Sequence, residues 1–167
     1  MPDIAPFIQA SKKLIGIFGY WPDFHDAEIV EAHFTRGDSQ LFEKRQPTLT
    51  AKLHTWQPTG KVDAKGYWLL HHHTLVTLRF HNIEEDFCME GFNRQNVISE
   101  LRIEQQERTD GPSPFFAVRF WACSGMGAIF KCASIEVVEA VPCTENGRCN
   151  TVLEPIPMDR DGSALER

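Results

Sequence analysis

The chain has 167 residues, a formal net charge of -6 and a sequence pI near 5.6. A hydrophobic fraction of 42% with 12 Phe excludes a disordered chain, and the length fits one domain with a sizeable core. The acidic balance disfavours phosphate backbones and hence nucleic acid, and no apolar run reaches the roughly eighteen residues of a membrane-spanning helix.

Residues Ile4 to Phe18 predict one short amphipathic helix. Ile4, Phe7, Ile8, Ile15 and Phe18 recur at near-helical spacing, and Gly16 and Gly19 are stop signals. The period then changes to two. Val30, Ala32 and Phe34 predict a strand from Ala27 to Thr35, and Leu49, Ala51 and Leu53 a second from Thr48 to Trp56. Pro58 to Gly66 reads as a turn. Tyr67 to Phe80 is one long or broken strand, rich in aromatic and β-branched residues. A short segment starts around Phe87, Met89 and Phe92, and Glu100 to Glu107 alternates again. Thr109 to Pro114 is a loop, Phe115 to Cys123 an apolar strand, Ser124 to Gly127 a flexible link, and Ala128 to Val141 the last strand region.

These elements predict a mostly β (α+β) fold. It is an antiparallel sheet or sandwich of about seven to eight strands with one short N-terminal helix. Residues 1–153 form a single globular domain, and 154–167 lose all periodicity and read as a frayed tail. Met1 to Pro6 lacks the basic region and apolar core of a signal peptide, so the expected location is the cytoplasm. The five cysteines, Cys88, Cys123, Cys132, Cys143 and Cys149, contain no C-x-x-C pair and read as reduced thiols. Cys143 and Cys149 flank Asn146-Gly147 and could pair if oxidised. Cys123 sits in what reads as a core strand.

The densest stretch is Gly19-Tyr20-Trp21-Pro22-Asp23-Phe24-His25-Asp26-Ala27-Glu28. Trp21, Pro22, His25, Asp26 and Glu28 there are either a structural corner or a site. In a strand, Asp26 and Glu28 would share a face and His25 would point away. His71-His72-His73 places His71 and His73 on one strand face. With His25 and Asp26 they form the candidate ligand set of a metal-binding module or metal-dependent enzyme, with His33 or His54 as a further donor. The polar-strand reading of the triplet stands beside it. Glu84, Glu85, Asp86, Phe87 and Glu90 read as a solvated loop or as an acidic, aromatic docking surface for a basic protein. Trp21, Trp56, Trp68 and Tyr67 read as core aromatics, with sugar stacking as the alternative. No serine-hydrolase or phosphate-loop context occurs around Ser124, so no catalytic residue and no cofactor is expected.

The Gly19 to Glu28 stretch resembles the GYWPxFHDAE signature of the immunity protein 50 family. Lys65-Gly66-Tyr67, His73-Thr74-Leu75-Val76-Thr77-Leu78-Arg79-Phe80 and Glu90-Gly91-Phe92-Asn93-Arg94-Gln95-Asn96-Val97 resemble further segments of it, in order. The resemblance spans Leu14 to Glu104 and fades beyond. It implies a bacterial immunity protein that binds and neutralises a cognate toxin of a polymorphic toxin system, with no catalytic residues. The His triplet is not part of what the resemblance carries. A homodimer formed through an exposed strand edge is a further reading.

Overall fold

The structure is a computed structural model that describes residues 3–38, 40–41, 45–84, 87–107 and 114–148. Among them eight antiparallel strands form one sheet: β1 (Glu28–Thr35), β2 (Thr48–Val62), β3 (Trp68–His81), β4 (Cys88–Glu90), β5 (Val97–Gln106), β6 (Phe115–Ser124), β7 (Gly127–Cys132) and β8 (Ser134–Pro142). The lateral order is β4-β7-β6-β5-β1-β2-β3-β8. The expected mostly β, antiparallel class is what the chain adopts. The expected tail, 154–167, lies outside the described residues.

The sheet bends between β1 and β5, which share a single Cα pair, Glu28 with Val97. Two layers result, β1-β2-β3-β8 and β5-β6-β7-β4, and their apolar faces meet. Phe80 of β3 contacts Phe120 of β6 and Phe130 of β7 at centroid distances of 5.9 and 5.1 Å. Alternation explains which residues face inward. Leu49, Ala51 and Leu53 of β2, Val76, Leu78 and Phe80 of β3, and Ile135 and Val137 of β8 are all fully buried. Each large side chain among them contributes about 1.5–3 kcal/mol by leaving water.

The N-terminal segment is not one helix. A 3-10 turn, Ala5–Phe7, is followed by Ile8 in extended conformation and then by α1 (Lys12–Phe18). The interruption has a partner. Gln9 donates its N–H to the Ile135 carbonyl and accepts from the Val137 N–H, both at 2.9 Å, as a parallel bridge to β8. The Lys13 ammonium then donates to the carbonyls of Val137 and Val138, at 3.2 and 2.7 Å. An edge strand is thereby partly covered, which opposes edge-to-edge association there.

Three further differences follow from pairing. β2 continues past Pro58 to Val62, because β3 extends just as far opposite it. The turn is confined to Asp63–Tyr67, where the Asp63 carboxylate accepts the N–H groups of Lys65 and Tyr67 at 2.8 and 2.9 Å. The run 128–141 is two strands, since β7 pairs with β6 in one layer and β8 with β3 in the other. Among the described residues no helix is long and apolar enough to cross a membrane.

Candidate functional site: an acidic, aromatic groove at the sheet corner

Gly19 ends α1 in the left-handed region at φ +81, and its N–H returns to the Ile15 carbonyl at 2.8 Å. Pro22 is buried, and Trp21 packs edge-on to Phe24 at 5.8 Å. Phe24 is 1% exposed and has φ +59; Asp26 follows at φ +61. These left-handed residues reverse the chain tightly enough to stitch the two layers together. The Asp23 carbonyl accepts from Leu101 N–H, the Ala27 carbonyl from Ile98 N–H, and Ile29 N–H donates to the Asn96 carbonyl, at 3.1, 2.9 and 2.8 Å.

Asn96 holds the other side of the joint. Its buried side chain accepts the N–H groups of Asn93 and Met126 at 2.8 and 3.2 Å and donates to the Asn93 carbonyl at 2.9 Å. A Cβ on Gly125 would lie 2.5 Å from the Gln95 carbonyl, and one on Gly91 would lie 2.5 Å from the Gly125 carbonyl.

The strand begins only at Glu28, so the expected shared face of Asp26 and Glu28 does not form. Instead, Asp26 and His25 both project outward, with side chains 54% and 64% exposed and His25 Nδ1 3.0 Å from Asp26 Oδ2. Asp23 Oδ1 accepts the His25 N–H at 2.9 Å. Opposite them stands the β2–β3 hairpin. The cleft between corner and hairpin has a volume of about 550 Å³ and is lined by Tyr20, Asp23, His25, Asp26, Trp56 and Trp68 together with apolar side chains. The Tyr20 hydroxyl accepts from Gln57 Nε2 at 2.9 Å, linking the end of α1 to β2. A second cavity, of about 530 Å³, lies on the other side of the corner between α1 and β5.

Trp68 and Tyr67 correct the expectation of core aromatics, being 62% and 70% exposed, whereas Trp21 does pack against the core. Of the groove aromatics, Trp56 and Trp68 share the sugar-stacking alternative in the sequence, whereas Tyr20 joins them only in the fold. The available signal was that the signature and Lys65-Gly66-Tyr67 resemble the same family, and these segments flank the groove.

The histidines do not assemble as a metal set. His72 is a left-handed bulge, φ +52, where the β2–β3 register shifts by one residue. It breaks the alternation on which the shared face of His71 and His73 depended. The His71 ring lies tilted against that of His72 at a centroid distance of 4.1 Å, and the His72 ring meets Phe18 edge-on. His73 Nδ1 lies 3.2 Å from His54 Nε2, and Trp56 contacts both rings. Among the described residues no group of three or more His, Cys, Asp or Glu side chains forms a metal-holding arrangement. Burial lowers the pKa of both His54 and His73. In His54 the neighbouring His73 adds to the effect; in His73, Glu145 opposes it and His71 adds to it.

The acidic segment is only partly an exposed face. The half-buried Glu84 donates its N–H to the Lys131 carbonyl at 3.0 Å, and Phe87 packs between Phe34 and Phe130 at 4.9 and 5.5 Å. Phe87 is therefore half-buried, packed against the edge of the core. Glu90 is exposed on β4, and Glu85 and Asp86 lie outside the described residues. Cys123 is exposed at the end of β6, contrary to its core reading, whereas Cys132 is buried and its thiol is pushed up to about 12 by desolvation. Cys149 lies outside the described residues.

Fold and groove together define a bent, antiparallel β protein that presents exposed aromatic and acidic side chains beside the left-handed reversal at Phe24 and Asp26. The chain belongs to the immunity protein 50 family, whose model matches residues 10–142. The match continues beyond Glu104, where the motif resemblance fades, to the end of β8. No curated protein and no solved structure matches the chain.

Proposed function

We propose that this protein is a non-enzymatic, cytoplasmic antidote that binds a cognate bacterial toxin of a polymorphic toxin system and neutralises it by occlusion. The observation that carries the reading is family membership over residues 10–142, with the family-like signature forming one wall of the groove. A net charge of -6 favours encounter with a basic partner. The groove is the contact site in this reading. The Glu84 to Glu90 segment steers encounter by charge.

The test is co-expression of the chain with candidate toxins encoded by neighbouring genes, scored by growth and by co-purification. Rescue with a stable complex is the expected result; toxicity unchanged by the wild-type chain sinks the reading. Charge reversal at Glu84, Glu85 and Asp86 should slow association about tenfold at low salt while leaving dissociation nearly unchanged. An unchanged association rate removes that segment from the account.

A further inference from the structure

We infer that the corner groove is a receptor for an arginine side chain presented by the toxin; this rests on the immunity reading above. The lining carries two carboxylates, Asp23 and Asp26, and the aromatic residues Tyr20, Trp56 and Trp68, of which Trp68 is well exposed, and among the described residues no lysine or arginine. Ring faces are the negative part of an aromatic quadrupole, so rings and carboxylates favour the same sign of ligand. Among the described residues an anion finds no lysine or arginine there, and the His25 ring already faces Asp26. Among cations, guanidinium fits better than ammonium. It is planar, weakly hydrated, stacks on aromatic faces and presents a donor fork to a carboxylate.

The carboxylates have capacity to spare. Asp23 Oδ1 is occupied by the His25 N–H and Asp26 Oδ2 by the His25 ring, which among the described residues leaves one oxygen of each without a hydrogen bond. Their positions are fixed by backbone, since Asp26 sits in a left-handed turn next to the buried Phe24. The tryptophan walls come from a paired hairpin, with Pro58 opposite Leu70 and Val62 opposite Trp68. A groove built this way is largely formed before its ligand arrives, which limits the ordering cost of binding.

The experiment titrates the full-length protein with Nα-acetyl-arginine methylamide and follows the indole N–H signals of Trp56 and Trp68 and the amides of Asp23 and Asp26. The isosteric but neutral citrulline derivative serves as control. Expected are saturable shifts at these groups with the arginine probe and about tenfold weaker binding of the citrulline probe. The exposed substitutions Asp26→Asn and Trp68→Ala should each reduce arginine binding with the remaining spectrum unchanged. Equal response to both probes, or none at the groove, overturns the inference; so does undiminished binding to both variants. A glucose or acetate titration that shifts the same signals more than arginine does also overturns it. The toxin separates the two levels. If a D23N/D26N/W68A chain still binds toxin and protects as well as wild type, the arginine receptor is wrong and the immunity reading stands. If the wild-type chain itself gives no protection, the immunity reading fails on its own terms.

Discussion

At the scale of single residues, the joint between the layers rests on a few groups with no substitute. The Asn96 side chain accepts two N–H groups inside the protein, so Asn96→Ala leaves both without an acceptor. A loss of about 2–3 kcal/mol of unfolding free energy is expected in urea titration. Asn96→Asp should cost less, because it preserves the acceptor. Gly125 combines φ +77 with backbone and side-chain oxygens at 2.5 and 2.7 Å from any added Cβ. Gly125→Ala should therefore lower stability by on the order of 3 kcal/mol, whereas Gly16→Ala, with open space around it, should not destabilise. A Gly125→Ala protein with a wild-type urea midpoint contradicts this account of the joint. Asn96 and Gly125 were legible only as residue types. Asn and Gly signal turns, but nothing local says that a loop 30 residues away closes on the Asn96 side chain.

At the scale of elements, the β2–β3 hairpin shows how pairing overrides local signals. Pro58 and Gly60 read as a break, yet the strand continues because its partner does. One bulge at His72 interrupts the histidine run, and His73 lies against His54 and Trp56. This pairing has a pH consequence. His54 and His73 have folded pKa values below the ordinary 6.5, so the unfolded chain takes up protons that the folded one resists. Stability should be insensitive to these groups above pH 6.5 and fall as pH drops below it. A His54→Gln/His73→Gln protein should show a shallower decline of urea midpoint between about pH 6.5 and pH 5 than the wild type. Parallel profiles exclude the pair as the source. The edge of β8 illustrates the converse, where a lysine and a stray backbone bridge cover a strand that sequence leaves bare.

At the scale of the whole molecule, the defining event is the bend at Glu28 and Val97 that turns one sheet into two facing layers. It places the signature segment and the hairpin across a groove and brings Phe80, Phe120 and Phe130 together inside. Truncating the shared core contact, Phe80→Ala, should cost about 3–5 kcal/mol by chemical denaturation, since the residue is fully buried between layers. A cost below about 1 kcal/mol contradicts a core shared by both layers. A complex with a basic toxin should also weaken as salt rises from low to physiological strength, because long-range attraction to a chain of charge -6 is screened. Salt-independent association leaves the net charge without a role in encounter.

The β class, the inward residues of most strands, the helix-to-strand junction and the family are legible in the sequence, because period-two burial and a compact motif are local properties. The interruption of the helix at Gln9, the bulge at His72 within the histidine run, the packing of Phe87 against Phe34 and Phe130, and the meeting of Tyr20, Trp56 and Trp68 with Asp23 and Asp26 around one groove belong to the folded chain alone. Each of these depends on which strand lies beside which and at what register. Register is set by the sum of burial across the whole sheet, so no window of sequence contains it.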